Sequence, residues 1–392
     1  MKMRNLVSNI IQQVRRNGDK ALLGFTKKFD KVSLTKKSLR IPVSRMRAAL
    51  ARLEKNERTA IEACARRVYE FHWEEKKRLP QSWTTQKNGI RFGQVYQPVD
   101  AVGIYVPGGR FSYPSTVLMS AIPAKLAGVN RRVVVTPPGR LTDSILAAAA
   151  ISGVSELYQV GGPAAVAALA IGTKTIPKVD LIVGPGNALV TEAKRQLFGE
   201  VGIDLLAGPS ELVVVADESA EPTWVASDMA AQAEHDPDAK SFLITTHGPL
   251  IRKVRQILPK KLLRQCYFFK ESKIKNAIKR ANDIAGEHVE IILKRPQECL
   301  DTLKNGGAFF INGWSPAVMG DYWAGPSHVL PTGRSAKFAS GLSVLTFLKR
   351  SSLINLSSMA FKKGWKSARK MAEMEGLNLH ADSLRIRINR EI

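Results

Sequence analysis

The sequence predicts an α/β protein with two incomplete Rossmann-like parallel-sheet domains, a helical N-terminal region and a small helical C-terminal segment. Its 392 residues exceed what one domain of about 150–200 residues needs. Beyond residue 100, short apolar runs alternate with helical segments of about 10–15 residues, which is the pattern of βαβ units. A hydrophobic content of 44% is enough for sizeable cores and excludes disorder as the main state.

The first eighty or so residues predict helices, because apolar side chains recur there at helical spacing. These side chains are Leu6, Ile10, Ile11, Val14, Met46, Leu50, Leu53, Ile61 and Val68. Residues 94–106 look extended, and their end, 101–106, reads as a buried strand. Further apolar strands are predicted at 132–135, 157–160, 181–183, 212–216 and 242–245. A helix-rich segment of about 342–380 follows Gly341.

We expect three domains from this organisation. Residues 1–104 together with 214–341 form a first, discontinuous α/β domain, and residues 105–213 form a second Rossmann-like domain. Residues 342–392 form the C-terminal helical segment.

Glycine and proline cluster where several predicted strands end, at 107–109, 137–139, 161–163 and 184–187. Ligands of open α/β sheets bind in such loops. The chain has no GxxxxGK[ST] motif, and the GPGNAL segment lacks the third glycine of a GxGxxG fingerprint. On local pattern alone, these loops are more typical of tight turns than of a nucleotide cradle.

The net charge of +25, from 59 basic and 34 acidic residues, raises the question of nucleic-acid binding. The positive charge is spread over several segments, and residues 201–250 carry nine carboxylates against the single Lys240. A solvated basic surface is therefore expected, without a specific nucleic-acid partner, and weak polyanion binding stays open.

Other patterns exclude further classes. Three isolated cysteines form no CxxC pair and imply neither a zinc ribbon nor a disulfide framework. No apolar run approaches the roughly 20 residues of a membrane helix, so no membrane partner is expected. The N-terminal twenty residues lack the apolar core of a signal peptide, which favours a cytoplasmic location.

Two histidines with polar neighbours could carry chemistry. Gln232 and His235 are three residues apart, so on a helix they share a face and suit two ligands of one metal. The alternative is a helix end with a solvated histidine. Glu287 and His288 precede an apolar run and suit an acid–base pair at a strand entrance, although such a pair is more often a surface feature.

Two later segments add candidates. Asp321 and His328 flank a loop rich in glycine and proline, whose alternative interpretation is a surface loop with an Asx turn. His380 alone would be read as a histidine at a helix end.

Eight motifs occur in a fixed order, and together they resemble the histidinol dehydrogenase family over nearly the whole chain. They are YVPGG, GPGN, AGPSE, QAEHDPDA, GEH, GDYWAGPSHVLPT, SGLSVLTFLK and EGLNLHA. The resemblance implies a zinc- and NAD-dependent oxidoreductase that converts L-histidinol to L-histidine through histidinal, in the last two steps of histidine biosynthesis.

The resemblance also implies residue roles. One zinc per subunit would be held by Gln232, His235, Asp321 and His380 of the partner subunit, in a homodimer with shared active sites whose dimerisation segment is 342–392. His288 would be the general base, with Glu287 activating water. The substrate-binding set would be Ser210, Gln232, His235, His288, Asp321, His328, Glu375 and His380. The NAD contacts would be Tyr105 and Asn187.

The chain departs from the family pattern at three places. Ala164 stands where the family has a glutamine that contacts NAD, which predicts weaker NAD binding. Gly286 replaces a proline before the Glu-His pair, which predicts a looser catalytic loop. The N-terminus starts late, so a short helical piece that packs in the dimer is expected to be missing.

Two alternatives stay open. One is a related zinc- and NAD-dependent dehydrogenase that acts on another small polar alcohol. The YPST segment and Glu375 favour histidinol instead. The other is a non-catalytic protein that binds RNA or another polyanion on the same fold, against which the intact ligand and acid–base residues argue.

Overall fold

The computed structural model describes residues 2–108, 112–234 and 236–388. The helices in these residues are α1 (Lys2–Asn17), α2 (Asp19–Phe25), α3 (Lys36–Leu39), α4 (Val43–Arg52), α5 (Lys55–Arg78), α6 (Pro114–Ala127), α7 (Asp143–Ser152), α8 (Gly162–Ile171), α9 (Ala188–Leu197), α10 (Pro222–Glu234), α11 (Gly248–Ile257), α12 (Ile274–Ile284), α13 (Ala317–Tyr322), α14 (Ser358–Met374) and α15 (Asn378–Ile388).

The strands in these residues are β1 (Arg40–Ile41), β2 (Trp83–Lys87), β3 (Ile90–Pro98), β4 (Ala101–Tyr105), β5 (Arg131–Thr136), β6 (Glu156–Gln159), β7 (Leu181–Val183), β8 (Gly202–Ile203), β9 (Glu211–Ala216), β10 (Lys240–Thr245), β11 (Cys266–Lys270), β12 (His288–Ile292), β13 (Ala308–Ile311) and β14 (Leu348–Leu356). A π-helical turn covers Thr26–Asp30, and 3₁₀ turns cover Pro138–Arg140, Lys260–Gln265, Pro296–Thr302, Ser335–Lys337 and Val344–Phe347.

The chain divides into two compact units, each made of two segments. The first unit contains the chain up to Lys77 together with Val99–Phe347. The second unit contains Arg78–Pro98 and the chain from Leu348 onwards. These units divide the chain differently from the three predicted domains, whose boundaries stay a prediction.

Two parallel sheets form the first unit. One has the order β1-β6-β5-β4-β7-β8, in which only the short edge strand β1 is antiparallel. The other has the order β11-β10-β9-β12-β13 and is parallel throughout. In each sheet the five parallel strands follow the Rossmann order 3-2-1-4-5 without its sixth strand. The predicted α/β class with two incomplete Rossmann-like sheets is confirmed.

Buried apolar side chains explain why these strands form. The six apolar runs predicted beyond residue 100 are all present as β4, β5, β6, β7, β9 and β10. Helix α1 packs on α8 and α9, beside the six-stranded sheet, through the buried face that contains Val7, Ile10 and Val14. Helix α2 also contacts α8, so the first two helices both pack beside the six-stranded sheet.

The second unit holds an antiparallel sheet of order β14-β3-β2 and the helices α14 and α15, which pack on each other. The segment after Gly341 was predicted to be rich in helix, and this is wrong for Leu348–Leu356, which form β14. This strand has no fully buried residue, so its sequence shows no clean apolar alternation. Within the described residues, no helix combines the length and apolar character needed to cross a membrane.

Candidate active site

The Glu-His pair lies where two neighbouring strands of the five-stranded sheet begin. His288 opens β12 and is in register with Leu212 of β9, so Glu287 lies beside Glu211 at one edge of the sheet. The backbone N–H of Glu211 donates to Glu287 Oε2 at 3.3 Å, and Glu287 and His288 are both buried. The pair is therefore an enclosed group and not a surface feature.

Gly286 lies where the backbone comes close to the side chain of a neighbouring strand. Helix α12 ends at Ile284, the next residue Ala285 adopts the left-handed region at φ 52°, and the chain then turns into β12. A β-carbon at Gly286 would lie 2.7 Å from Val213 Cγ2. The chain is thus closely packed around this glycine.

Asp321 brings two histidines together. Its Oδ1 lies 3.9 Å from His288 Nε2 and 3.8 Å from His328 Nδ1. Burial raises the pKa of Asp321 to about 7. Burial likewise raises the pKa of Glu287 to about 8, where the charge of Asp321 adds to the rise and the hydrogen bond from Ser210 opposes it. The structure therefore gathers Ser210, Glu287, His288, Asp321 and His328 at one place.

Helix α6 contributes a residue that the sequence interpretation missed. Thr116 is buried, and its Oγ1 lies 3.0 Å from His328 Nε2. Thr116 ends the YPST segment, whose sequence by itself indicates only a substrate preference. The hydroxyl therefore fixes the ring that Asp321 faces from the other side.

The loop that carries Ser210 is tied to a second loop. The N–H of Gly208 donates to Thr332 Oγ1 at 2.5 Å, and the N–H of Gly333 donates to Glu211 Oε2 at 3.1 Å. The carbonyl of Ser210 accepts from the N–H of Lys240 at 3.0 Å. These bonds hold Ser210 against Glu287.

Gln232 supplies the structural test for a metal. It lies in the last turn of α10, is buried, and its Nε2 has no hydrogen-bond partner among the described residues. The two ends of an amide are assigned from hydrogen bonding, so a flip presents the oxygen at the same position. An orphaned buried amide costs about 1–3 kcal/mol and fits a group that accepts or coordinates it.

The described residues provide part of the predicted donor set. Helices α10 and α13, which carry Gln232 and Asp321, contact each other. His235 lies outside the described residues, and His380 is exposed on α15 in the second unit. In the described part of the chain, no group of three His, Cys, Asp or Glu side chains is arranged to hold a metal. Among the described residues, Asp321 offers a carboxylate oxygen, which is a donor that zinc accepts in proteins, and the orphaned amide of Gln232 lies on the neighbouring helix.

The two residues expected to contact NAD lie at the carboxyl edge of the six-stranded sheet. Tyr105 ends β4, and Asn187 follows the neighbouring strand β7, which is where the strand order reverses. The buried Tyr105 hydroxyl accepts from the N–H of Gly162 at 3.1 Å, and burial raises its pKa to about 12. Asn187 Oδ1 accepts from the N–H groups of Leu189 and Val190 and caps α9.

The loop between β7 and α9 has an unusual support. At Gly184 the φ angle is 107°, and a β-carbon would lie 2.2 Å from the Tyr105 carbonyl oxygen. Lys194 Nζ donates to the Gly184 carbonyl and to Asp204 Oδ1, both at 2.6 Å. Asp204 Oδ2 accepts from the N–H of Gly184 at 2.7 Å. The buried ion pair of Lys194 and Asp204 therefore holds both backbone groups of Gly184 in place.

Two expected residues belong to the second unit. Glu375 follows the last turn of α14, and His380 lies near the start of α15. Both are exposed.

Ala164, the residue from which weaker NAD binding was predicted, is buried in the first turn of α8.

The comparisons with known proteins agree over the whole chain. A family model described as histidinol dehydrogenase matches residues 1–388. Curated histidinol dehydrogenases from Hydrogenovibrio crunogenus and Carboxydothermus hydrogenoformans are each 44% identical over 98% of this chain and over 92% and 94% of their own lengths. A crystal structure of histidinol dehydrogenase from Elizabethkingia anophelis superposes with a TM-score of 0.90 at 33% identity, covering 98% of this chain and 92% of that one.

Proposed function

The chain belongs to the histidinol dehydrogenase family, and from that membership we propose that it oxidises L-histidinol to L-histidine through histidinal with NAD as the oxidant. The observation that carries the proposal is the enclosed cluster of Glu287, His288 and Asp321. Such a cluster suits two successive oxidations of one carbon. It combines a histidine, which can act as the base for the alcohol, with the buried carboxyl group of Glu287, which can activate water for the aldehyde.

In the first oxidation, His288 accepts the proton of the substrate hydroxyl while hydride leaves the carbon for the nicotinamide. Histidine suits this step, because its ordinary pKa lies near neutrality. Asp321 faces the Nε2 of His288 and disperses the positive charge that forms on the ring. The products of this step are the aldehyde, NADH and a protonated base.

The second oxidation needs water, because an aldehyde has no hydroxyl proton to give. Glu287 takes a proton from that water as it adds to the aldehyde, and the hydrated carbon then loses its second hydride to another NAD. Ser210 and the N–H of Glu211 favour the ionised form of Glu287 through hydrogen bonds. These bonds offset burial only in part, so the pKa of Glu287 stays raised at about 8, and its ionised form, which is the base, gains population as the pH rises toward that value.

For zinc, we propose the ligands Gln232, His235, Asp321 and His380 of the partner subunit. The orphaned amide of Gln232 and the buried carboxyl group of Asp321 support this set. Zinc, when bound, supplies coordination for the neutral amine and imidazole nitrogens of the substrate. Ser210, His328 and Glu375 are then the remaining substrate contacts.

For NAD, we propose contacts with Tyr105 and Asn187. Their location at the switch point of the six-stranded sheet supports this, since ligands of such folds bind there.

For the assembly, we propose a homodimer with shared sites, joined through residues 342–392. The second unit supports this proposal, because it exposes large apolar side chains that a soluble surface seldom gathers. They include Ile354, Met359, Met374 and Leu379. The cytoplasmic location and the absence of a specific nucleic-acid partner stay predictions.

The test is the absorbance of NADH formed from L-histidinol, with and without a zinc chelator. We expect two NADH per L-histidinol, loss of turnover with the chelator and recovery on adding zinc. Full turnover by metal-free protein would refute the zinc assignment. A clear preference for a different small polar alcohol would refute the assigned substrate.

A further inference from the structure

Two carboxyl groups near the cluster, the buried Glu290 and the half-buried Asp228, have no role in the steps above. Glu290 follows His288 by two residues on β12, so both side chains point to the same face of the sheet. Asp228 precedes Gln232 by one turn of α10, so these two share a helix face. Glu290 is only 1% exposed.

Glu290 also holds the start of a third element. Its Oε1 accepts from the backbone N–H of Ala317 at 2.7 Å. Ala317 is the first residue of α13, and the first N–H groups of a helix have no partner within it. Because α13 has only six residues, this bond fixes the helix that carries Asp321 one turn later.

The two carboxyl groups interact with each other. Burial raises the pKa of both, and the charge of Asp228 raises that of Glu290 further. Two neighbouring carboxylates with little solvent around them repel each other when both are ionised, which favours sharing of one proton. Glu290 Oε2 is buried without a hydrogen-bond partner among the described residues, and a proton shared with Asp228 would satisfy it and join β12 to α10.

We propose that the Asp228–Glu290 pair is a positioning device that ties β12, α10 and α13 together and so sets Asp321 against His288 and Gln232. The pair touches no reacting atom in this proposal. It acts by keeping two proposed zinc ligands and the base in one arrangement, as residues behind metal ligands commonly do. The inference rests on the proposed function for the identity of the metal and the substrate.

Two substitutions at Glu290 separate positioning from simple packing. Glu290→Gln keeps an acceptor for the Ala317 N–H and a donor for Asp228. Glu290→Leu is similar in size and removes both. Val215→Ala is the matched control, because Val215 is a fully buried residue of β9 within the other core cluster of this sheet.

The main measurement is the zinc dissociation constant of the metal-free protein, obtained by competition with a chromogenic chelator. The second is KM and kcat for L-histidinol, and the third is the thermal midpoint. We expect Glu290→Leu to weaken zinc binding by about 10- to 100-fold and to raise KM. We expect Glu290→Gln to stay near the wild type, and Val215→Ala to lower the midpoint while zinc affinity is unchanged.

Three outcomes would overturn the inference. They are wild-type zinc affinity in Glu290→Leu, an equal loss in Glu290→Gln, and a loss no greater than that of Val215→Ala. If Glu290→Leu does not fold, Glu290→Asp replaces it, since the shorter side chain withdraws the acceptor from Ala317, and the same loss is expected. Wild-type protein that binds zinc but does not oxidise L-histidinol refutes the proposed function alone, because the zinc affinities still decide the positioning role.

Discussion

The substitution Lys194→Met tests the support beneath the proposed NAD loop. The Lys194 ammonium donates to the Gly184 carbonyl and to Asp204 Oδ1, both at 2.6 Å. The side chains of the ion pair are only 4% and 2% exposed. Methionine keeps most of the length and apolar volume of lysine, so the change removes mainly the charge and the hydrogen bonds.

The expected loss of stability in Lys194→Met depends on the partners that Asp204 keeps. Removing one partner of a buried ion pair costs about 3–5 kcal/mol, because the other charge stays buried without compensation. Asp204 still accepts from the N–H groups of Gly184 and Leu205, which places the loss at the lower end of that range. We therefore expect a loss of about 3 kcal/mol in the free energy of unfolding.

A second substitution, Asp204→Asn, measures the interaction energy between Lys194 and Asp204. Asp204→Asn retains an oxygen for the Gly184 N–H but removes the negative charge. In the double variant no charge is left unpaired, so its cost is expected to be smaller than the sum of the two single costs by about 0.5–3 kcal/mol. Because the loop carries Asn187, we also expect KM for NAD to rise about two- to tenfold, equivalent to one lost hydrogen bond, with KM for L-histidinol unchanged.

The assay is equilibrium urea denaturation followed by circular dichroism, combined with steady-state kinetics. The control is Arg15→Met, which removes the cation of an exposed pair with Glu200, where the side chains are 41% and 49% exposed. An exposed pair contributes at most about 1 kcal/mol, so the control is expected to change little. The reasoning is refuted if Lys194→Met costs no more than the control, or if the double variant is strictly additive.

Three further outcomes are expected. His288→Asn slows both oxidations, whereas Glu287→Gln slows mainly the oxidation of the aldehyde; rates measured separately with histidinol and histidinal check this, and equal losses at both steps in both variants contradict it. Mixing inactive His235→Ala with inactive His380→Ala restores up to about a quarter of wild-type activity when subunits exchange freely, because one site of each mixed dimer is intact; no recovery despite proven exchange excludes shared sites. Thr116→Val raises KM for L-histidinol about two- to tenfold through the lost hydrogen bond to the substrate-site histidine, while Thr116→Ser, which keeps the hydroxyl, stays near the wild type; equal values for the two variants contradict the role of the hydroxyl.

Much of the fold was predictable because its central strands are continuous apolar runs. Residues 181–183 and 212–216 are such runs, and both are buried strands. The exposed strand β14 was missed, since packing against a neighbouring strand, and not burial, makes it a strand. The spacing of apolar residues does not predict which exposed strands pair with each other.

The candidate site was only partly predictable from single residues. Local patterns selected Glu287, His288, Asp321 and His328, but the ordered set of motifs was needed to group them. In the structure, Asp321 lies 3.9 Å from His288 and 3.8 Å from His328. Glu290 and Thr116 were missed, because each acts through a partner far away in the sequence. A carboxylate inside the apolar run of β12 was the one available signal for Glu290.

The pairing of β3 with β14 has a consequence for the newly made chain. The two strands are aligned over nine residue pairs, from Leu348 opposite Pro98 to Leu356 opposite Ile90. The ribosome therefore releases the β2–β3 hairpin long before its third strand exists. Until then one edge of β3 is open, and an open edge is a template for wrong pairing between nascent chains. Translation speed and chaperone access in that interval thus bear on the yield of native protein, independently of the stability of the finished fold.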